Sequence, residues 1–398
     1  MVEPLHASAE FRLFCLALRR SCGPEDRAQL NAAIARCRDW GIVLAGARRH
    51  RVEPLLFKGL KAHKSPDLPE HVLASLREET FAAAAANLAK AREVVRVAEL
   101  FSHNGVPMIA LKGVVLSTQL YGDPAVRHPR DVDLLVAAAD LARAGRLLGE
   151  AGYRRAGPQV LGSQETLYWR WSKEAKFVHA SSGILLELHH RLTDNPALLP
   201  FDFGELWGER EQIEMAGVKV AALPRAFLPL YLGAHGASHA WQRLCWLTDF
   251  AAALEDKDLV DRTVARAESL DLGLPMLEGL LLAHDWLGHP LREDRLAQAR
   301  ASRRLGRLTG IVARSYRASQ WHRTPRQGSL AEFFRQSFWL RLHAYFLKRG
   351  WEYFRHQLAR EMVAPSDWEA FALPNRLAWL YPAIRPFGWL VRRLRGVV

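Results

Sequence analysis

The 398-residue chain combines 49% hydrophobic with 24% charged residues and carries a net charge of +13, a composition typical of a folded globular protein and unlike that of a disordered one. Its four cysteines form no CxxC pair and have no histidine at zinc spacing, which argues against a disulfide framework or a structural zinc. We recognise no signal peptide and no apolar stretch of transmembrane length, so we expect a cytoplasmic protein.

The N-terminal quarter of the chain is predicted to be helical over residues 8–100. Apolar residues recur there at spacings of three and four, over 11–18 and again over 30–37. Residues 64–69 contain two prolines and are predicted to be a loop. A long helix rich in strong helix formers is expected to follow over 70–102.

The pattern changes after residue 103. Short apolar runs predict strands over 106–111, 132–136 and 183–189, with helices over 114–121 and 137–152 and a turn at 122–124. After residue 224 the chain is predicted to be helical again, over 228–239, 246–254, 274–287 and 330–348. We therefore expect an α+β protein with an α/β core at 101–222, between helical regions at 1–100, 223–290 and 291–398.

The positive charge lies in the last quarter of the chain. From residue 292 onward, 21 basic residues stand against 7 acidic ones, whereas the rest of the chain is almost neutral. Such a field favours nucleic acid or an anionic membrane surface, although arginine-rich helices also serve simply to solvate a surface. The final segment from Trp379 to Arg395 mixes aromatic residues with arginines, which suits peripheral membrane contact, RNA binding or docking on its own domain.

Two aspartates mark the predicted strand at 132–136. Asp131 and Asp133 are separated by one residue, so on a strand both carboxylates project from the same face. Carboxylates held this close repel each other unless a cation lies between them, and hard oxygen ligands suit Mg²⁺. Lys112 and Gly113 precede a predicted helix, where backbone N–H groups can hold a phosphate. Together these residues predict a metal-dependent phosphoryl or nucleotidyl transfer site.

A third carboxylate is expected from an adjacent strand. Glu187 is the apolar-flanked acid in the appropriate region, and it would complete the metal site or accept a proton from the acceptor hydroxyl. Structural alternatives are open for both motifs at this point. The aspartate pair also fits a loop with a capping residue, and Glu187 also fits a solvated position on a strand.

These motifs resemble the uncharacterised nucleotidyltransferase family of the DNA polymerase β superfamily. The superfamily signature is a glycine turn, then an Asp-x-Asp strand, then a later third acid. The family also has a helical motif with two histidines, two tryptophans and an aspartate. The resemblance covers roughly residues 100–255 and rests on Leu111-Lys-Gly113, Tyr121-Gly-Asp-Pro124, Arg127, Asp131-Val-Asp133, Glu187-Leu-His189, His235-x3-His239-x-Trp241 and Leu244-x-Trp246-Leu-x-Asp249.

The resemblance implies transfer of a nucleoside monophosphate from an NTP to an acceptor, with release of pyrophosphate. Asp131, Asp133 and Glu187 would then be the catalytic, metal-binding residues, with Mg²⁺ or Mn²⁺ as the cofactor. Many superfamily members have a serine after the glycine of the turn, whereas this chain has Lys112-Gly113-Val114. The phosphate contact would therefore fall to Lys112 or to backbone N–H groups.

Arg127 and His189 each have two interpretations. Arg127 lies in a turn before the aspartates, where it would either pair with Asp131 or hold a phosphate through two hydrogen bonds. His189 shares a strand face with Glu187, where it would either bind metal near the acceptor or pack as a hydrogen-bonded core residue.

The helical motif supplies three further candidates for the acceptor side. His235 and His239 have the i, i+4 spacing of a zinc pair but lack the glutamate of a His-Glu-x-x-His motif, so we expect them to line the acceptor pocket or to pack between helices. Asp249 would act as a general base or anchor Trp246 and a neighbouring helix.

By analogy with superfamily members that modify antibiotics, the acceptor is expected to be a small molecule, a sugar or a modified peptide. Two alternatives are open. The first is a non-catalytic binding protein that keeps the fold and uses its basic C-terminal region for nucleic acid or a partner. The second is an enzyme that nucleotidylates RNA or protein.

Overall fold

The computed structural model describes residues 8–20, 23–157, 165–254, 257–316, 321–323, 329–363, 368, 371 and 373–394. The chain divides into two compact units, each assembled from separated stretches. The helical unit comprises Met1–Ala91, Val114–Pro129 and Arg225–Lys348, and the sheet unit comprises Arg92–Gly113, Arg130–Pro224 and Arg349–Val398. The division into four consecutive regions stays a prediction, as does any role of Arg395, which lies outside the described residues.

The described helices follow one another along the chain in the order α1 (Ala9–Ala17), α2 (Pro24–Arg36), α3 (Trp40–His50), α4 (Glu53–His63), α5 (Glu70–His103), α6 (Gly113–Tyr121), α7 (Leu141–Glu150), α8 (Glu165–Trp171), α9 (Phe203–Gly208), α10 (Leu228–Ser238), α11 (Leu244–Ala253), α12 (Lys257–Ser269), α13 (Gly273–Leu287), α14 (Glu293–Ala301), α15 (Arg303–Ser315), α16 (Leu330–Phe346), α17 (Trp351–Met362) and α18 (Tyr381–Leu394). The strands are β1 (Met108–Ala110), β2 (Asp131–Val136), β3 (Tyr153–Ala156), β4 (Glu174–His179), β5 (Leu185–His189), β6 (Glu211–Met215) and β7 (Val218–Ala222).

The α+β class is confirmed, with helices before the first strand and after the last one. The helix predicted over 137–152 is shorter than expected, because a 3₁₀ turn (Ala138–Asp140) precedes α7 and the helix ends at Glu150. Gly152 follows in the left-handed region with φ +90°, a conformation that favours glycine and turns the chain into β3. Along the described part of the chain, no helix combines the length and the apolar character needed to cross a membrane.

The seven strands of the described sheet are arranged in the order β3-β4-β5-β2-β1-β7-β6. The β2–β5 and β1–β7 pairs are parallel, whereas the other neighbours are antiparallel, so the sheet is mixed. Strand β2 is central, and its residues after Asp131 are all buried. This burial explains the near-continuous apolar run that identified the strand in the sequence.

Strands β3, β4, β6 and β7 were absent from the sequence prediction. They are four to six residues long and carry charged side chains at several positions, so their apolar pattern is weak. Strands β6 and β7 form a hairpin closed by Ala216 and Gly217, both with positive φ, of 50° and 81°. A two-residue turn with this geometry matches the twist of the strands it joins, although alanine is an unusual residue for it.

Helices α1 and α4 of the helical unit approach each other closely at Gly59. A Cβ atom added at this position would lie 1.9 Å from the backbone oxygen of Ala17. Because the obstacle is backbone, it cannot move aside as a flexible side chain would. We therefore expect Gly59→Ala to lower the free energy of unfolding by about 2–3 kcal/mol, measured by urea denaturation.

Gly306 provides the matched control for this prediction. It lies within α15 with no atom within 4 Å of an added Cβ. Alanine should therefore stabilise the protein at this position by about 0.5–1 kcal/mol, because it restricts the unfolded chain. Equal effects of the two glycine substitutions would contradict the close approach at Gly59.

A buried neutral histidine links three segments of the helical unit. His50 is 1% exposed, and its Nδ1 accepts a hydrogen bond from the Leu244 N–H at 3.2 Å. Its Nε2 therefore carries the proton and donates to the Trp321 carbonyl oxygen at 2.9 Å. Burial, with a further contribution from Arg49, holds the pKa of His50 well below its usual range. Protonation of the ring would remove the acceptor that Leu244 requires.

The free energy of unfolding should consequently depend on pH through His50. In the unfolded chain this histidine binds a proton below about pH 6.5, whereas in the folded protein it stays neutral to much lower pH. The stabilisation is complete above about pH 6.5 and declines as the pH falls, by up to about 1.4 kcal/mol per pH unit. In unfolding titrations from pH 7.5 to 5, the stability advantage of wild type over His50→Asn should shrink. Parallel curves would show that His50 is not responsible.

Candidate active site

The three predicted carboxylates lie on two adjacent strands of the sheet unit. In the parallel β2–β5 pair, Asp133 is directly opposite Glu187, and Asp131 is opposite Leu185. Asp131 and Asp133 share one face of β2, because side chains alternate along a strand. Across the antiparallel β4–β5 pair, Lys176 is directly opposite Glu187. The sheet register therefore aligns Asp133, Glu187 and Lys176 in one row across three strands.

His189 lies between the carboxylates of Asp133 and Glu187. Its Nε2 is 3.1 Å from Asp133 Oδ1 and 3.6 Å from Glu187 Oε2, and its side chain is completely buried. One ligand atom from each of these three residues lies within 4.8 Å of the others, which makes them a cluster able to hold a metal ion. Among the described residues Asp131 is not part of that cluster, although it lies on the same strand face as Asp133.

The Lys112–Gly113 turn lies against strand β2. The N–H of Leu111 donates to the Asp133 carbonyl oxygen at 3.0 Å, and Lys112 Nζ forms an ion pair with Asp133 Oδ1 at 2.9 Å. Gly113 begins α6 with φ +69°, and an added Cβ would lie 3.4 Å from the Asp131 carbonyl oxygen. The turn thus requires glycine for its backbone conformation and places the start of a helix beside the aspartates.

Strand β4 supplies further charged side chains that contact Glu187 and His189, and the sequence analysis missed them. Lys176 Nζ is 3.0 Å from Glu187 Oε1, and Glu174 Oε2 is 3.5 Å from His189 Nδ1. Lys173 in turn pairs with Glu174 at 3.2 Å. Acidic and basic side chains therefore alternate from Asp133 outward. The alternation Glu174-x-Lys176 was visible in the sequence, but it carries meaning only once β4 is recognised as a strand.

The charges of this cluster determine its protonation. Burial disfavours the ionised form of Asp133, but Lys112 and His189 outweigh it and hold the pKa of this carboxyl well below its usual range. Burial and Asp133 likewise disfavour the Glu187 anion, yet His189 and Lys176 lower the pKa of Glu187 to about 2. Burial opposes protonation of His189, but its hydrogen bonds to the two carboxylates raise its pKa. Both carboxylates are therefore ionised at neutral pH.

This donor set fits a hard divalent cation. Ionised carboxylate oxygens are the ligands that Mg²⁺ prefers, and Mn²⁺ accepts the same oxygens. The side chains of Asp133 and Glu187 are 2% and 10% exposed, so a cation between them would be largely shielded from solvent. His189 fits Mg²⁺ less well as a direct ligand, since imidazole suits the softer transition metals. Its hydrogen bonds instead suit the orientation of the two carboxylates.

Arg127 and Asp249 lie in the helical unit and form a buried ion pair. Arg127 Nε donates to both Asp249 oxygens, at 3.0 and 2.9 Å, and Nη2 is 2.9 Å from Oδ2. The Tyr121 hydroxyl also donates to Asp249, at 3.0 Å. The sequence analysis offered Asp131 as the structural partner of Arg127, whereas in the structure Arg127 pairs with Asp249. Phosphate binding by Arg127 and general-base catalysis by Asp249 stay predictions.

His235 and His239 pack around Trp246 in the helical unit. Their ring centroids are 4.8 Å apart, and they lie 5.4 and 4.9 Å from the Trp246 ring. Within the described residues, this pair joins no third His, Cys or carboxylate in a cluster able to hold a metal. The geometry agrees with aromatic packing between helices, and an acceptor-side role for the two histidines stays a prediction.

Comparison with known proteins identifies one family. Residues 36–288 match the model of a family described as uncharacterised nucleotidyltransferase. The match includes the Lys112–Gly113 turn, both aspartates, Glu187 and the helical motif that ends at Asp249. No curated protein and no solved structure matches the chain significantly.

Proposed function

The chain belongs to the uncharacterised nucleotidyltransferase family, and on that premise we propose that it is a metal-dependent enzyme that transfers a nucleoside monophosphate from an NTP to an acceptor. In this reaction the acceptor oxygen bonds to the α-phosphorus, the bond from the α-phosphorus to the bridging oxygen breaks, and pyrophosphate leaves. The observation that carries the proposal is the direct opposition of Asp133 and Glu187 on parallel strands, with both carboxylates ionised.

Asp131, Asp133 and Glu187 would hold Mg²⁺, or Mn²⁺ in its place. A bound divalent cation supplies charge neutralisation to the triphosphate and polarises the phosphorus under attack. His189 Nε2 donates to Asp133 at 3.1 Å and lies 3.6 Å from Glu187, so it would hold the two carboxylates in place for the cation. Lys176 shares this positioning role through its ion pair with Glu187.

Lys112 and the start of α6 would bind the triphosphate. The helix begins at Gly113, and the first backbone N–H groups of a helix favour a phosphate. Lys112 forms an ion pair with Asp133, so its ammonium group already lies beside the carboxylates. From there it can contact the triphosphate on the side opposite Glu187, because β2 lies between β1 and β5 in the sheet.

The ligand role suits Glu187 better than the role of general base. A carboxylate with a pKa of about 2 is a weak proton acceptor at neutral pH, whereas a general base works best with a pKa near the operating pH. We therefore assign Glu187 to the metal. The acceptor proton is left to water or to an acceptor-side group, for which Asp249, His235 and His239 are the sequence candidates.

We propose that the acceptor is a small molecule, a sugar or a modified peptide. We also propose a cytoplasmic location, because the reducing cytosol suits free cysteines such as Cys15, Cys37 and Cys245. The alternatives keep the same fold. In one, RNA or protein is the acceptor. In the other, the protein binds nucleic acid or a partner without catalysis, through its basic C-terminal region.

Labelled NTPs test this proposal. Purified protein with Mg²⁺ is incubated with a cell extract separated into small molecules, RNA and protein, using each NTP labelled in turn at the α- or γ-phosphate. Nucleotidyl transfer places the α-label, and not the γ-label, in one fraction. Transfer of the γ-label would identify phosphoryl transfer and contradict the proposal. Absence of both labels, together with absence of NTP binding, would favour the non-catalytic binding protein.

A further inference from the structure

Four arginines line a cavity of about 170 Å³ in the sheet unit. Two flank the β4–β5 pair in the chain, one on α8 and one just after β5, and two come from α17 in the basic C-terminal region. A histidine and one aspartate complete the charged lining, which consists of Arg170, Arg191, Arg355, Arg360, His356 and Asp194. Among the described residues, basic groups therefore far outnumber acidic ones around this cavity.

The contacts of these side chains leave positive charge facing the cavity. Arg360 pairs with Asp194 at 3.4 Å, and Asp194 supplies the carboxylate among the described residues of the lining. Arg191 reaches the Arg170 carbonyl oxygen with Nη2 at 3.5 Å, while its Nε atom is buried without a hydrogen-bond partner among the described residues. Arginine presents a planar set of donors that matches the oxygens of a phosphate.

The same arginines affect the pKa of His356. Burial lowers its pKa, and Arg355, Arg191 and Arg170 lower it further, against an opposing effect of Glu352. Arg170 and Arg355 are exposed at the rim, whereas Arg191 and Arg360 are half-buried. A net positive cavity of this kind attracts anions from solution.

The size of the cavity favours one phosphate group. A cavity of about 150 Å³ can hold one benzene molecule, so a cavity of about 170 Å³ has room for one small chemical group. That volume suits a single phosphate with a few waters. A groove for a nucleic acid backbone would have to continue over several phosphates.

The sheet register places this cavity away from the expected triphosphate site. Strand β1 runs antiparallel to β2, so the Lys112–Gly113 turn follows β1 at the Asp131 end of the strands. Arg191 follows β5 at the opposite end, beyond the His189–Glu174 row. Arg191 is four positions after Glu187, so their Cα atoms lie within about 14 Å of each other. A molecule of moderate size can span this distance.

We propose that the arginine cavity binds a phosphate group of the acceptor, so that the substrate is a phosphorylated molecule held at one end while its hydroxyl reaches the carboxylates. This inference rests on the proposed nucleotidyl transfer, because only that reaction makes the bound molecule an acceptor. The presence of a phosphate-binding cavity separate from the NTP site does not depend on turnover. The cavity also assigns a function to part of the basic C-terminal region, since α17 supplies Arg355 and Arg360.

Inorganic phosphate is the first probe, with binding measured by calorimetry at low ionic strength. The exposed rim residues are changed together in Arg170→Gln/Arg355→Gln, and the control is Arg143→Gln/Arg146→Gln, which makes the same charge change at two exposed positions of α7. We expect the rim variant to bind phosphate about tenfold more weakly or worse, and the control to bind like wild type. Equal affinities in the two variants would overturn the cavity assignment.

A second binding measurement separates the cavity from the NTP site. A non-hydrolysable NTP analogue with Mg²⁺ should bind the rim variant and wild type within about twofold of each other. Weakening of both phosphate and the analogue in the rim variant would assign the cavity to the NTP and overturn the acceptor proposal. Arg191→Gln, which removes one of the two half-buried arginines, should reproduce the loss of phosphate binding without loss of analogue binding.

A third arm distinguishes an acceptor phosphate from free phosphate. The cell extract is treated with a phosphatase, which is then removed before the labelling reaction. Our proposal predicts that wild type loses its α-labelled product in the treated extract. Undiminished labelling would mean that the cavity takes free phosphate and would overturn the acceptor assignment. If no extract is labelled at all, the proposed function fails, and the two binding measurements alone then decide whether the cavity is a phosphate site.

Discussion

We expect Asp133→Asn to lower the rate of nucleotidyl transfer by about a thousandfold or more, which corresponds to about 4 kcal/mol of transition-state stabilisation. Asparagine has nearly the same shape as aspartate but lacks the negative charge that a divalent cation requires. Asp133 is also the residue on which Lys112 and His189 converge, at 2.9 and 3.1 Å. Its loss would therefore affect the proposed metal site, the proposed triphosphate contact and the orienting histidine together. The measurement is the initial rate of α-label transfer at saturating NTP.

Glu187→Gln should show a loss of similar size, since Glu187 faces Asp133 across β2 and β5. The matched control is Glu150→Gln, a change of an exposed glutamate at the end of α7 in the same unit. The melting temperature of each variant separates a loss of chemistry from a loss of folding. If folded Asp133→Asn retains activity within tenfold of wild type, the carboxylate is not part of the reacting centre.

The largest expected effect on stability is that of Asp249→Asn. Asp249 is 1% exposed and makes three hydrogen bonds or ion-pair contacts with the Arg127 guanidinium and one with Tyr121. Without its charge, Arg127 is left as an uncompensated cation in the interior. Breaking one partner of a buried pair typically costs about 3–5 kcal/mol. We expect a decrease of that size in the free energy of unfolding, measured by urea denaturation.

Two comparisons isolate this pair. Asp271→Asn is the control in the same unit, because Asp271 is exposed with φ +53°, a conformation that asparagine adopts readily. The double variant Arg127→Met/Asp249→Leu removes both charges and should recover much of the lost stability, since apolar pairs can replace buried ion pairs. A double variant no more stable than Asp249→Asn would contradict this account. A raised KM for NTP in a stable Arg127 variant would support the phosphate role predicted for Arg127.

The sequence predicted the central strands and their acids because the signal there is local. Asp131 and Asp133 precede a buried apolar run, so period-two alternation alone places their carboxylates on one face. Glu187 was identified by its apolar flanks, but its direct opposition to Asp133 depends on β2–β5 pairing, which joins positions 54 residues apart. These residues alone predicted phosphoryl or nucleotidyl transfer, and the resemblance to the family selected nucleotidyl transfer.

The features that the sequence did not predict depend on contacts between distant residues or on strands with a weak apolar pattern. Lys176 and Glu174 belong to β4, whose alternating charges conceal a strand with one buried face. The Arg127–Asp249 pair joins residues 122 positions apart, so neither residue indicates its partner. The arginine cavity combines α8, the end of β5 and α17, and the basic C-terminal composition indicated only that an anion was a plausible partner.

Metal-dependent NTP binding tests the central claim most directly, because it needs no knowledge of the acceptor. Calorimetry would follow the binding of a non-hydrolysable analogue of each NTP to wild type, in the presence of Mg²⁺ and again in EDTA. Our account predicts binding of at least one analogue with Mg²⁺, a large loss in EDTA, and a similar loss with Mg²⁺ in Glu187→Gln but not in Glu150→Gln. Binding that is equally strong in EDTA and in Glu187→Gln would contradict a metal site built on these carboxylates.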